Sequence, residues 1–205
     1  MLNDYLTIDK TVSAEIVEKK SKFIASVIPV QSEEEALQEL DKIKKSNRDA
    51  RHNVFSYRIA NGSERASDDG EPSGTAGVPI LEILRGAKLQ NILVVVTRYF
   101  GGILLGTGGL VKAYSDSAKE ALKEAIIVKK ILQKKYEVEV PYSYNDKLVY
   151  FCKNNDYKVI ETKYEENAKI YVAVKNEFSS KFEEGIMDLS NREAKIKVIT
   201  EYFYA

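Results

Sequence analysis

Arg98-Tyr99-Phe100-Gly101-Gly102-Ile103-Leu104-Leu105-Gly106-Thr107-Gly108-Gly109-Leu110 is the stretch on which the fold turns. It follows the apolar run Ile92 to Val96 and precedes a long helical pattern, so it lies where a strand hands over to a helix. Five glycines within nine residues weaken any helix or strand that has to carry them. At such a junction they serve two ends. They allow a tight turn and close packing of helix on sheet. They also let backbone N–H groups converge at the positive end of a helix, where a phosphate or carboxylate binds. Both uses stay open on sequence alone. The spacing fits neither a Walker A loop, which ends in Gly-Lys-Ser/Thr, nor the dinucleotide pattern G-x-G-x-x-G.

Upstream, Arg65-Ala66-Ser67-Asp68-Asp69-Gly70-Glu71-Pro72-Ser73-Gly74-Thr75-Ala76-Gly77 is polar and crowded with turn formers. It lies in a connection, Asn61 to Val78, that is long for a compact domain, and connections of that length carry function or are disordered. Asp68, Asp69 and Glu71 supply oxygen ligands of the kind Mg²⁺ takes, but Asp in turns also caps neighbouring amides, and the spacing matches no calcium loop. His52 is the only histidine and hence the one imidazole base on offer; a local hydrogen bond that orders the long loop is the other reading. Ser73 is no nucleophile elbow, and Cys152, at helical spacing after Leu148, reads as a small buried residue. One histidine and one cysteine exclude a structural zinc site. No catalytic residue, metal or cofactor is therefore expected.

What remains is an anion site. Its candidates are Arg51, His52, Asp68, Asp69, Glu71, Arg98, Gly106, Thr107, Gly108 and Gly109, on the condition that the long loop folds back over the glycine loop. Thr107 is the expected N-cap of the following helix, and Arg98 the counter-charge, with Asp68 or Asp69 as its ion-pair partner. Arg51, Arg58, Arg65, Arg98 and Lys112 interleave with Tyr57, Tyr99 and Phe100, a mixture that suits single-stranded RNA if the residues share a face.

Periodicity predicts strands at Ser13–Glu18 and Phe23–Val30, a helix after the capping box Ser32-Glu33-Glu34-Glu35, and a strand from Asn53 to Ala60. Pro79 opens a short helix, Ile92–Val96 is a central strand apolar on both faces, and Leu110 to Ala125 form a helix with a stripe of small residues. After a boundary at Lys129–Lys135 the pattern restarts at Tyr136 and reads β-α-β-β-α-β, the ferredoxin-like order. The fold class is α+β, with residues 1–134 as one domain and 135–205 as a smaller ferredoxin-like one.

Composition narrows the setting. Lys and Arg number 31, Asp and Glu 31, so no global field draws the chain to nucleic acid or anionic lipid, and an RNA partner needs a local patch. The domains carry 20 basic and 18 acidic residues, then 11 and 13, so neither stands out. A lone cysteine, no apolar run of bilayer length and no leader pattern in Met1–Lys10 lead to the expectation of a cytoplasmic protein with no membrane partner.

The two glycine-containing runs, with Arg51-His52-Asn53 and Tyr57-Arg58, resemble the signature of the Impact family in its bacterial, YigZ-type form. The resemblance is strong from Lys19 to Leu122 and looser beyond. It implies a first domain like the second domain of ribosomal protein S5 and a role in regulation of translation. Eukaryotic members place a partner-binding domain before the shared region, which here starts near Met1, so their partner is not expected to carry over. The function expected is a non-enzymatic binding module that contacts RNA, the ribosome or a translation-associated protein. The alternative is an enzyme whose small phosphorylated or acidic substrate sits at the glycine-rich loop.

Overall fold

The computed structural model describes residues 3–60 and 62–204. Met1, Leu2, Asn61 and Ala205, which bound the expected domains and open the expected long loop, lie outside the described residues. The chain divides into two compact units, Tyr5–Lys129 and Lys130 onward, the latter joined by the residues before Tyr5.

In chain order the elements are β1 (Asp4–Ile8), β2 (Val12–Glu18), β3 (Ser21–Pro29), α1 (Glu33–Ser46), β4 (His52–Arg58), β5 (Glu64–Ser67), α2 (Gly77–Gly86), β6 (Ile92–Tyr99) and α3 (Gly106–Lys123). They continue with β7 (Ile127–Val140), α4 (Asn145–Asn154), β8 (Lys158–Tyr164), β9 (Ala168–Lys175), α5 (Ser179–Leu189) and β10 (Lys195–Tyr204). Antiparallel sheets with five helices make the chain α+β, as the pattern predicts.

The first unit is built on a sheet of order β2-β3-β6-β4-β5, antiparallel at every pairing. Its middle strand, β6, is buried from Ile92 to Arg98 because both faces are covered. Ile92, Val94 and Val96 pack with Ile80 and Leu84 of α2 and with Leu110, Ala113, Tyr114 and Ala118 of α3. Leu93 and Val95 point the other way, into a second cluster with Ala36 and Leu40 of α1. The period of two thus splits one apolar run between two cores. Helix α1 starts as its sequence foretells: Ser32 Oγ accepts the Glu35 N–H at 3.1 Å, and the Glu35 carboxylate accepts the Gln31 N–H at 2.6 Å. On α3 the small residues Ala113, Ser117, Ala118 and Ala121 are buried, which brings the helix axis close to the strands.

The second unit runs β7-α4-β8-β9-α5-β10 with sheet order β10-β7-β9-β8, antiparallel throughout, which is the ferredoxin-like arrangement. Its core is Tyr136, Val138 and Val140 of β7, Ile170 and Val172 of β9, and Leu148, Cys152, Phe182 and Ile186 of the two helices. No helix among the described residues is long and apolar enough to cross a membrane.

Three elements differ from the pattern reading. Strand β7 begins at Ile127 rather than Tyr136, because Ile127-Val128-Lys129-Lys130-Ile131-Leu132 pairs its apolar residues instead of alternating them. Strand β1 was not foreseen. The long polar connection contains β5, a four-residue edge strand; short polar strands are what sheet edges tolerate.

Two glycine substitutions separate close approach from spare space. A Cβ at Gly101 would overlap the backbone of Lys20 and Ser21, so Gly101→Ala is expected to cost about 3 kcal/mol in urea unfolding. A Cβ at Gly108 meets nothing within 4 Å, and its place in the first turn of α3 makes Gly108→Ala neutral or stabilising by up to about 1 kcal/mol. In the second unit, burial pushes the Cys152 thiol up to about 12. Iodoacetamide should therefore leave native Cys152 unmodified and label it only across the unfolding transition; rapid labelling of the native protein would contradict that burial.

Candidate functional site

The site is built from the end of β6, the loop after β5, the start of β4 and the first turn of α3. Arg98 is the last buried residue of β6, only 5% exposed, and its register partners are Phe23 of β3 and His52 of β4. Beyond Tyr99 the chain must turn sharply to feed α3. Gly101 makes this possible by lying against the Lys20 backbone, its N–H donating to Ser21 Oγ at 3.1 Å. Gly102 and Gly106 supply φ of +83° and +72°, values a side chain resists. Gly106 opens the helix and Leu105 stands at the N-cap with no side-chain bond, so Thr107 is not the cap. The N–H groups of Gly106 to Gly108 precede the first helical hydrogen bond and therefore have no partner within the helix.

The loop from Asp68 to Gly77 is ordered by its own carboxylates. Asp68 accepts the N–H groups of Gly74 at 2.8 Å, Ala76 at 3.0 Å and Gly77 at 2.8 Å, which ties the loop to the start of α2. Gly77 is needed because a Cβ there would come within 2.8 Å of the Ser67 backbone. Asp69 has a φ of +45°, accepts the Asn53 N–H at 2.6 Å and pairs with Lys44 at 3.0 Å. Its carbonyl lies 2.8 Å from His52 Nδ1. A carbonyl can only accept, so Nδ1 carries the hydrogen and Nε2 of the neutral ring is left as an acceptor.

Glu71 alone of the three carboxylates turns inward. Its Oε1 accepts from Arg98 at 2.5 Å and from the Tyr114 hydroxyl at 2.8 Å, and His52 Nε2 stands 3.8 Å away. Both members of the ion pair are almost wholly buried, with side chains 6% and 4% exposed. The partner of Arg98 is thus Glu71 rather than Asp68 or Asp69. The guanidinium also lies 5.3 Å from the Phe23 ring centre and 5.6 Å from that of Phe100, and its second terminal nitrogen reaches Ser21 Oγ at 3.4 Å. Its Nε is buried with no hydrogen-bond partner. Burial, and then the Glu71 carboxylate, push the Tyr114 phenol far above its ordinary value, so it stays protonated and donating.

Above this cluster opens a cleft of about 430 Å³. Arg51, His52, Glu71 and Arg98 line one part with Gly106 and Thr107, while Pro72, Phe100, Leu104, Leu105 and Leu110 line the rest. The long loop does fold over the glycine loop. Of the ten candidates, Arg51, His52, Glu71, Arg98, Gly106 and Thr107 meet in one cleft, whereas Asp68 and Asp69 face backbone and lysine, and Gly108 and Gly109 sit further along the first turn. Among the described residues no cluster of three or more His, Cys, Asp or Glu side chains could hold a metal ion.

Sequence reasoning missed the apolar half of the cleft and the role of Tyr114. Tyr114 had a signal, since a phenol on a buried helical stripe needs a hydrogen-bond partner. Leu104 had none: isolated leucines in loops are common, and only the fold shows that this one borders a cleft.

With the geometry in place, comparison with known proteins is informative. Residues 19–122 match the Impact N-terminal domain, and residues 138–191 match a domain of unknown function, DUF1949. The chain is 38% identical to the IMPACT family member YvyE of Bacillus subtilis over 96% of its own length and 92% of that protein's. It is 33% identical to YigZ of Escherichia coli, over 89% and 92% of the two chains. A crystal structure described as a hypothetical protein superposes with a TM-score of 0.68 at 30% identity, covering 98% of this chain and 99% of that one. Two matched domains in the same order, and relatives aligned nearly end to end, place the chain in the Impact family.

Proposed function

We propose that the chain is a non-enzymatic binding module of the cytoplasm that acts in translation by contacting RNA, its phosphate held in the cleft of the first unit. One observation carries the reading. Arg51, Arg98 and the first two residues of α3, Gly106 and Thr107, line a single cleft, while the one carboxylate facing it, Glu71, is paired with Arg98 and Tyr114. The Arg98–Glu71 pair cancels, so Arg51 is the net charge in the lining of the cleft, in a chain that is neutral as a whole. Arg51 is exposed and lies 5.5 Å from the Phe100 ring centre, so a guanidinium and an aromatic face stand together as single-strand binders require. Family membership adds the link to translation, on the resemblance of the two glycine-containing motifs.

A second reading has its own support. The His52 ring is fixed in one tautomer by the Asp69 carbonyl, which leaves Nε2 in the cleft as a proton acceptor. An enzyme acting on a small phosphorylated or acidic substrate would use it. His52→Gln separates the two, because a binder keeps most of its RNA affinity while an enzyme loses turnover.

The direct test is fluorescence anisotropy of a labelled single-stranded RNA across a salt series. Arg51→Ala should weaken binding and lower the slope of log K against log salt by about one, as expected for one lost phosphate contact. Equal binding by wild type and Arg51→Ala, or none at low salt, would overturn the reading. Arg98 is unsuitable for that experiment. Arg98→Ala strands a buried carboxylate and should cost about 3–5 kcal/mol in urea unfolding, much of it recovered in the Arg98→Ala/Glu71→Ala double variant.

A further inference from the structure

The cleft is larger and less polar than a phosphate requires. At about 430 Å³ it has room for on the order of ten waters at about 30 Å³ each, whereas a bare oxyanion fills a small corner. Its lining is divided. Arg51 offers positive charge, Gly106 and Thr107 offer the start of α3, and Phe100, Leu104, Leu105 and Leu110 offer carbon. A ligand that satisfies both halves carries an anion at one end and an apolar or aromatic body at the other.

Two members of the apolar lining, Leu104 and Phe100, are exposed. Leu104 is 82% exposed, and Ile103 and Phe100 in the same loop are 42% and 39% exposed. Neighbouring exposed apolar groups beside a cleft mark a ligand groove more often than three scattered ones would. Nothing in the fold needs them there: Gly101 secures the loop to β3, and Leu105 and Leu110 already reach the core. Phe100 is also held in place, with the guanidinium groups of Arg51 and Arg98 at 5.5 and 5.6 Å from its centre. A ring and a guanidinium in fixed contact form a platform on which a flat π-system stacks.

We propose that the cleft is a mononucleotide site, which takes one nucleotide unit with its phosphate at Arg51 and the first turn of α3 and its base against Phe100 and Leu104. The inference rests on the reading that this cleft holds RNA phosphate, and it adds the substrate class. The unit belongs either to a free nucleotide or to one end of an RNA chain. Stacking reads every base alike, so selectivity among the four bases is weak.

The experiment uses the full chain, labelled with ¹⁵N, and follows amide shifts on addition of adenosine 5′-monophosphate, inorganic phosphate, adenosine, and an oligoadenylate with and without a 5′-phosphate. Adenosine monophosphate should shift Leu104 and Gly106–Leu110 and bind at least about tenfold more tightly than phosphate or adenosine alone. Leu104→Ala, an exposed position that leaves folding intact, should cost about tenfold for the nucleotide and leave phosphate unchanged. A response to the phosphorylated oligonucleotide that exceeds the free nucleotide assigns the source to RNA ends; the reverse assigns it to free nucleotides. Phosphate that binds as tightly as the nucleotide would overturn the proposal. Oligoadenylate that binds with shifts confined to other residues would also overturn it and move RNA contact elsewhere on the chain. Failure of every probe would remove both the nucleotide site and the RNA reading.

Discussion

The ion pair between Arg98 and Glu71 is the interaction on which the first unit depends. Two charges have been taken out of water at the edge of the core, and their mutual attraction alone does not offset that desolvation. The surroundings supply the difference. Tyr114 donates to the same carboxylate oxygen, Ser21 lies within reach of the guanidinium, and the faces of Phe23 and Phe100 lie against its charge. The partners come from four different places in the chain: Ser21 and Phe23 from β3, Arg98 from β6, Glu71 from the loop after β5, Tyr114 from α3. Removal of one charge therefore disturbs a strand pair, a loop and a helix at once. A pair so placed fixes the loop over the sheet, and the cleft exists only because that loop is fixed.

The carboxylates of the same loop show how one composition serves separate ends. Asp68, Asp69 and Glu71 read alike in sequence, as three acids that could share a cation. In the fold they diverge. Asp68 collects three backbone N–H groups at the start of α2, and Asp69 braces β4 and α1 through Asn53 and Lys44. Only Glu71 enters the cleft. The divergence follows from Asp69 at φ +45° and Gly70 at φ +89°, which reverse the chain between successive side chains. A loop that would otherwise repel itself is thereby made into a rigid wall.

Much of the fold was legible because binary patterning carries it. Ile92–Val96 read as a strand buried on both faces and is shared between two cores, and the Ser32 cap and the β-α-β-β-α-β order of the second unit appear where the periodicity places them. Among the elements that escaped, Ile127–Leu132 at the start of β7 does not alternate its apolar residues, β5 at a sheet edge needs none, and β1 is only five residues long. The lining of the candidate cleft was legible in outline through Arg51, His52, Arg98, Gly106 and Thr107, while Gly108 and Gly109 lie outside it. Ion-pair partners were not, since the choice between Asp68, Asp69 and Glu71 depends on backbone reversals that composition does not encode.

The glycines of the Phe100–Leu110 segment divide the work between structure and binding. Gly101 answers to a close backbone approach, and Gly102 and Gly106 answer to positive φ, so three of the five are demanded by the turn itself. Gly108 answers to neither, for a Cβ there meets open space, and a glycine in a helix costs roughly 0.5–1 kcal/mol relative to alanine. Gly108 follows Thr107, which lines the cleft, in the first turn of α3. Leu104, 82% exposed at the rim of the same cleft, is likewise of no use to the folded chain by itself. A bare helix start and an unburied leucine are two small losses of stability, two residues apart in the lining of one cleft. The ligand proposed above would recover both, because it brings an anion to the helix start and an apolar face to the leucine.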